Sequence, residues 1–183
     1  MLKKDIHQYL LSLSQTYQDL GGEPLEVAIC GGAALNVLDF IHRFTKDVDI
    51  VSPEHLPPLF VEAAQITADY FGLKKEWINQ GPIDLLKMGL PKGYFDRCHS
   101  LNLGGNVLWL ITSRLDQIHF KLYASIDRGG YHVQDLIVLK PSITELVQAS
   151  QWCFTHDVSD GFKEITKDFL IQQGWKNATR ELF

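Results

Sequence analysis

The stretch Val27 to Val51, VAICGGAALNVLDFIHRFTKDVDIV, constrains the fold more than any other part of the chain. An apolar run, a glycine pair, a helical pattern and a second apolar run follow one another, so the stretch predicts strand, turn, helix and strand. The second strand, expected over Asp47 to Val51, begins with two carboxylates separated by one apolar residue. Residues two apart share a face of a strand. Asp47 and Asp49 are therefore expected side by side, with Val48 entering the core.

The rest of the chain predicts more strands before about residue 112 and mostly helices after it. An amphipathic helix is expected over Leu2 to Leu20, and a second over Leu56 to Phe71. The other expected helix of this part lies between the two strands of the opening stretch, over Ala33 to His42. The expected strands are Leu25 to Cys30, Asp47 to Val51, Ile83 to Met88, and a hairpin of Ser100 to Leu103 with Asn106 to Ile111.

This order of elements predicts an α/β (α+β) fold, in which a mixed sheet flanked by helices precedes a C-terminal helical cluster. The expected parts are an α/β core over residues 1–112 and a helical part over residues 113–183, packed on the core. Both parts together are no larger than one ordinary domain.

Composition narrows the class of protein. Hydrophobic residues make up 45% of the 183 residues and charged residues 21%, as in an ordinary globular protein. No apolar run approaches the roughly 20 residues that cross a bilayer, so we expect a cytoplasmic protein with no membrane partner. Its three cysteines suit reduced core thiols. The formal net charge of −5 gives no overall attraction to nucleic acid.

Two features of the opening stretch suit phosphate and metal chemistry. Asp47 and Asp49 supply the hard, backbone-fixed oxygen ligands that Mg²⁺ prefers, with Mn²⁺ as an alternative. Gly31 and Gly32 lie where a strand meets a helix N-terminus, so their N–H groups can approach a phosphate. Either feature alone is a weak signal, because short motifs occur often by chance.

The combination resembles the nucleotidyltransferase fold, whose signature is an apolar strand, Gly-Gly or Gly-Ser, a helix, and Asp-x-Asp on the next strand. Within that superfamily, the run Arg43 to Asp49 is similar to the Arg-x-Thr-x-Asp-x-Asp of bacterial nucleotidyltransferase-like proteins related to the toxin of abortive-infection type IV systems. A second block, Leu115 to Asp135, is similar to the later helical motif of that group.

The resemblance implies metal-dependent transfer of a nucleoside monophosphate from a nucleoside triphosphate to an acceptor. It implies that Asp47 and Asp49 hold the metal. The resemblance also implies that several further residues bind the nucleotide: Gly31, Gly32, Arg43, Thr45, Lys46, Lys121 and Asp135. Of these, Asp135 would orient Lys121 or bind another ligand. The acceptor is open among a small molecule, a protein side chain and an RNA end.

The third carboxylate of the family pattern has no clear counterpart in this sequence. Active members usually carry a third carboxylate on a neighbouring strand, as a metal ligand or as the base toward an acceptor hydroxyl. Asp84, in the expected strand Ile83 to Met88, is the one residue nominated for this catalytic position. If Asp84 does not supply the third carboxylate, the alternative is an inactive nucleotide-binding or partner-binding member of the fold. Such a protein would belong to a toxin–antitoxin or regulatory pair with a cognate partner protein.

Three of the nominated residues also have ordinary structural explanations. Lys121, between Phe120 and Leu122, could be an ion-paired lysine at the edge of a helix. Asp135 could simply begin a helix, where a carboxylate is favourable. Arg43 could pair with Asp39.

Overall fold

The computed structural model describes residues 1–183, which divide into two compact units, Met1–Ser113 and Arg114–Phe183. The first unit contains a five-stranded sheet. Its strands are β1 (Leu25–Cys30), β2 (Val48–Ser52), β3 (Ile78–Asn79), β4 (His99–Asn102) and β5 (Val107–Ile111).

The sheet is mixed, as predicted. Its strand order is β3-β2-β1-β5-β4. Strand β1 runs antiparallel to β2 and parallel to β5, while β2 runs parallel to β3 and β4 antiparallel to β5. Strand β1 is therefore central, and its C-terminal end at Cys30 lies beside Asp49 of β2.

The helices of the first unit cover and connect the sheet. They are α1 (Lys3–Asp19), α2 (Gly31–Val37), α3 (Pro58–Phe71), α4 (Ile83–Met88) and α5 (Tyr94–Arg97). Helices α1 and α3 pack against each other and supply apolar side chains to one core, where Leu10 and Phe60 join Ile29 and Trp109. All four of these side chains are fully buried, which stabilises each by about 1.5–3 kcal/mol relative to exposure.

The second unit is helical, as predicted. It consists of α6 (Arg114–Arg128), α7 (Tyr131–Val138), α8 (Ile143–His156), α9 (Asp160–Gln172) and α10 (Lys176–Leu182). The side chain of Ser142 caps α8 by accepting a hydrogen bond from the N–H of Glu145. Arg114 joins three segments, because it donates to the carbonyls of Leu139 and Lys140 and pairs with Glu145 at 2.6 Å.

Two predicted elements need correction. The segment Ile83 to Met88 is a helix and not a strand. Over only six residues the apolar pattern fits a helix as well as a strand. Pro82 is the N-cap of the helix. Helix α2 is also shorter than the predicted Ala33 to His42: it begins at Gly31 and ends at Val37, because Asp39 takes a positive φ of 60° that breaks the helix. None of the ten helices is both long and apolar enough to span a membrane.

Candidate functional site

The centre of the candidate site is the contact between Gly31 and Asp49. Gly31 follows directly on β1, with φ at +69°. A Cβ atom placed on Gly31 would lie 2.5 Å from Oδ2 of Asp49, closer than real Cβ contacts come. Only glycine fits this position, both because of its backbone angle and because the Asp49 carboxylate lies against it.

Asp47 and Asp49 have the alternation that the sequence predicts. Val48 and Ile50 are fully buried, whereas both aspartates are half-buried. Asp49 belongs to β2, and Asp47 immediately precedes that strand. Since side chains alternate along an extended chain, the two carboxylates are presented away from the core on one edge of the first unit.

In the segment before Asp47, the alternate side chains Arg43 and Thr45 lie near the glycine turn. A Cβ on Gly32 would lie 2.9 Å from Oγ1 of Thr45 and 3.8 Å from a guanidinium nitrogen of Arg43. Thr45 is buried and its hydroxyl donates to the carbonyl of Asp47 at 3.3 Å. Lys46, by contrast, is exposed. The structure therefore places Arg43 and Thr45 beside the glycine pair, and it places the side chain of Lys46 in solvent.

The buried side chain of Asn36 fixes the distance between the glycine turn and this segment. Its Nδ2 donates to the carbonyl of Gly32 at 3.1 Å and to the carbonyl of Arg43 at 3.0 Å. Because both N–H groups of one planar amide are used, the two backbone segments are held together by a single side chain. The sequence does not predict this role of Asn36, since an asparagine within a helical pattern gives no signal of it.

A second pair of hydrogen bonds supports the end of β1. The hydroxyl of Thr112 donates to the carbonyl of Ile29 at 2.7 Å and lies 2.6 Å from the hydroxyl of Tyr94. Since the Thr112 proton is used, Tyr94 is the donor of the second bond. Burial, with the Cys30 and Cys98 thiols nearby, raises the pKa of Tyr94. The phenol therefore stays protonated and keeps its donor role.

On the other side of Asp49 lies Asn79, a residue for which the sequence pattern predicts no role at the site. Strand β3 runs parallel to β2 with Asn79 in register with Asp49. Oδ1 of Asn79 accepts a hydrogen bond from the N–H of Gly81 at 2.7 Å. A Cβ on Gly81 would lie 2.8 Å from this oxygen and 3.9 Å from Oδ1 of Asp49. Asn79 thus occupies the neighbouring-strand position next to the carboxylates.

Asp84 does not occupy that position. It lies on α4, its side chain is 78% exposed, and its nearest charged partner is Lys87 at 3.9 Å. The predicted place of Asp84 on a neighbouring strand is therefore wrong. A catalytic role for Asp84 stays a prediction without that support.

Lys121 and Asp135 lie in the second unit, on α6 and α7. Lys121 Nζ and Asp135 Oδ2 are 2.7 Å apart, and the two side chains are 5% and 2% exposed. Lys121 Nζ also lies 5.7 Å from the ring centroid of Tyr131. Asp135 and Lys121 therefore form a buried ion pair. Contact of either residue with a nucleotide stays a prediction.

The carboxylate pair has the donor chemistry for Mg²⁺. Asp47 and Asp49 offer hard oxygen atoms, and magnesium commonly takes one or two carboxylates and completes its shell with water and substrate phosphates. Gly31 and Gly81 leave the space on either side of Asp49 without a side chain. No group of three or more His, Cys, Asp and Glu side chains is arranged to hold a metal ion. The residues present therefore fit a magnesium ion bound with its substrate.

Comparison with known proteins identifies a family to which most of the chain belongs. No curated protein and no solved structure matches the chain. A family model matches residues 8–151, which include β1, the Gly31-Gly32 turn, both aspartates and the Lys121–Asp135 pair. That span is most of the chain, and the mixed sheet with its helical second unit agrees with the nucleotidyltransferase-like fold that the motifs resemble. The chain belongs to the family described as "Nucleotidyltransferase of unknown function (DUF6036)".

Proposed function

We propose that the protein is a metal-dependent nucleotidyltransferase that transfers a nucleoside monophosphate from a nucleoside triphosphate to an acceptor. The observation that carries the proposal is the position of the Asp49 carboxylate, which lies against Gly31 at the end of the central strand. A carboxylate that can hold a metal is thus adjacent to a glycine turn that can approach a phosphate. Phosphoryl-group transfer requires these two elements side by side.

In this proposal Asp47 and Asp49 hold Mg²⁺, which when bound neutralises charge on the triphosphate. Gly31 and Gly32 let backbone N–H groups approach the phosphates. Arg43, whose guanidinium lies near Gly32, adds positive charge beside the same turn. Thr45 contributes by holding the backbone of Asp47.

The family resemblance also assigns Lys121 and Asp135 to the nucleotide, and we keep this assignment as part of the proposal. The buried Asp135 carboxylate holds the Lys121 ammonium group in a fixed position within the second unit. Lys46, exposed on the motif segment, is available to a triphosphate that extends into solvent.

One observation favours a second candidate function, an inactive nucleotide-binding or partner-binding member of the family. The neighbouring-strand position next to Asp49 holds the amide of Asn79, while Asp84 is exposed on a helix. An amide cannot take a proton from an acceptor hydroxyl. Such a protein would bind the nucleotide, alone or with a cognate partner protein in a toxin–antitoxin or regulatory pair, without turnover.

The two candidates are separated by labelling. Purified protein is incubated with each α-³²P nucleoside triphosphate, Mg²⁺ and cell extract, and transfer is followed by gel and thin-layer chromatography. We expect a labelled acceptor with the wild-type chain and none with Asp49→Asn. Glu62→Gln is the control, because Glu62 is an exposed carboxylate on α3. Nucleotide binding by the wild-type chain with no transfer to any acceptor would reject the enzyme and support the second candidate.

A further inference from the structure

Asn79 presents a hydrogen-bond donor on the face of the carboxylates. Its Oδ1 accepts from the N–H of Gly81 at 2.7 Å, which fixes which end of the amide is oxygen. The Nδ2 group is therefore the part of Asn79 that remains to bind a substrate. Asn79 is in register with Asp49, so this donor lies one strand away from the carboxylate.

The two oxygens of Asp49 point to different neighbours. Oδ2 lies against Gly31, while Oδ1 is on the side of Gly81 and Asn79. The proposed function assigns the donor triphosphate to the Gly31-Gly32 turn. In phosphoryl transfer the attacking and leaving groups lie roughly in line, on opposite sides of the phosphorus. The side of Asn79 is then the side from which an acceptor attacks.

We propose that Asn79 binds the acceptor, and that the acceptor is a phosphate monoester that attacks through a phosphate oxygen. This inference rests on the proposed function. An amide N–H stabilises an oxygen that is already anionic, but it cannot remove a proton from a hydroxyl group. A phosphate monoester is ionised at neutral pH and needs no base.

The transfer step requires no group that accepts a proton, because the attacking phosphate oxygen is already ionised. An oxygen of the acceptor phosphate forms a bond to the α-phosphorus of the nucleoside triphosphate. The bond from that phosphorus to the oxygen bridging the β-phosphate breaks, and pyrophosphate leaves with the electron pair. The product is a phosphoanhydride that joins the acceptor to the nucleoside monophosphate.

The substitution Asn79→Asp tests this role with little change in shape. An aspartate keeps an oxygen for the N–H of Gly81 and replaces the Nδ2 donor with negative charge. The chain offers a matched control: Oδ1 of Asn102 accepts from the N–H of Gly104 at 2.9 Å, in the same two-residue pattern. Asn102→Asp therefore adds the same charge to the same kind of turn, in the β4–β5 hairpin.

Binding is measured first. With Mg²⁺ and a saturating non-hydrolysable nucleoside triphosphate analogue, inorganic phosphate is titrated and followed by ³¹P NMR and calorimetry. We expect Asn79→Asp to weaken phosphate binding by roughly 10- to 100-fold, the effect of losing a hydrogen bond to a charged group. Affinity for Mn²⁺, measured by electron paramagnetic resonance, should stay the same or rise in Asn79→Asp. Asn102→Asp should match the wild-type chain in both measurements.

Turnover is measured with paired acceptors, a nucleoside and its 5′-monophosphate. We expect label from the α-³²P donor on the monophosphate alone. Equal phosphate affinity in wild type and Asn79→Asp, or transfer to the hydroxyl groups of the nucleoside, would overturn the inference and leave the nucleotidyltransferase proposal standing. A wild-type chain that binds no analogue in the presence of Mg²⁺ would overturn both.

Discussion

Replacing Gly31 with alanine tests the geometry on which the candidate site depends. Two costs are expected. At a φ of +69° a Cβ atom costs about 1–2 kcal/mol of stability. The same atom would also lie 2.5 Å from Oδ2 of Asp49, so the carboxylate would have to move by about 1 Å to restore an ordinary van der Waals contact. Metal–ligand distances tolerate only about ±0.2 Å, so a displaced Asp49 should hold a metal poorly.

Gly72→Ala separates the two costs. Gly72 has nearly the same φ, +66°, but a Cβ placed there meets nothing within 4 Å. Both variants should lose about 1–2 kcal/mol in urea unfolding followed by circular dichroism, because both place alanine in a left-handed conformation. Only Gly31→Ala should also lose about tenfold or more in Mn²⁺ affinity, measured by electron paramagnetic resonance, a loss equivalent to about 1.4 kcal/mol.

The result that refutes this reasoning is specific. If Gly31→Ala binds Mn²⁺ as tightly as Gly72→Ala does, the closeness of Gly31 to Asp49 has no bearing on metal binding. The assignment of Asp49 as a metal ligand would then lose its main structural support. A larger loss of stability in Gly31→Ala is compatible with either outcome, so the affinity decides.

Three further perturbations test the surrounding structure. Lys121→Met should cost about 3–5 kcal/mol in urea unfolding, because it removes the ammonium group that pairs with the buried Asp135 carboxylate. Lys121→Met combined with Asp135→Leu should be nearly neutral. A folded double variant that binds triphosphate analogue normally would show that the pair is structural only. Tyr94→Phe should cost about 0.5–1.5 kcal/mol and Thr112→Val more, since the first removes one hydrogen bond of Thr112 and the second also removes its bond to the Ile29 carbonyl; equal losses in thermal unfolding would contradict this order. Burial raises the pKa of Glu145, but hydrogen bonds from Arg114 and Ser142 outweigh this effect and hold the pKa below its ordinary value of 4.5. The stability that these hydrogen bonds contribute is therefore present above pH 4.5 and is lost as the pH falls through the lowered pKa. Glu145→Gln should therefore be less stable than wild type at pH 7 and approach it in acid, and a difference independent of pH would contradict this.

The strands of the first unit show what periodicity can predict. Leu25–Cys30 is an apolar run bounded by turn residues, and its bounds are those predicted. Val48 and Ile50 alternate with the two aspartates, so the full burial of the apolar pair and the partial burial of the aspartates follow from a period of two. These are local patterns, and the physics that produces them acts within a few residues.

Two strand predictions, one wrong and one missing, concern segments too short to have a period. Ile83–Met88 has six residues, and its apolar residues fit a strand as well as a single helical turn. Strand β3 has two residues and is placed by backbone pairing with β2, including the bond from the Val48 N–H to the Trp77 carbonyl. A pattern of side chains cannot indicate a strand of that length, so the place of Asn79 beside Asp49 could not be predicted.

The glycine turn shows a different limit. The sequence places Gly31 between a strand and a helix and predicts approach to a phosphate. The structure adds that the Asp49 carboxylate, 18 positions later, already lies against that glycine. Contacts between distant segments depend on how the two strands pair, and β1 and β2 are in antiparallel register with an irregularity between Ala28 and Ile29. A local pattern contains no information about such a register shift.

The two hydrogen bonds of Asn36 limit the length changes that this protein can accept. The segment from Val37 to His42 connects Asn36 to Arg43, and the Asn36 amide binds the carbonyls of both Gly32 and Arg43. The identities of the connecting residues can therefore vary more freely than their number. An added or deleted residue would move Arg43 out of reach of Asn36, or shift the alternation that turns Thr45 inward and Lys46 outward. The number of residues between the glycine pair and the aspartates is thus constrained by Asn36, a side chain that itself has no part in the proposed chemistry.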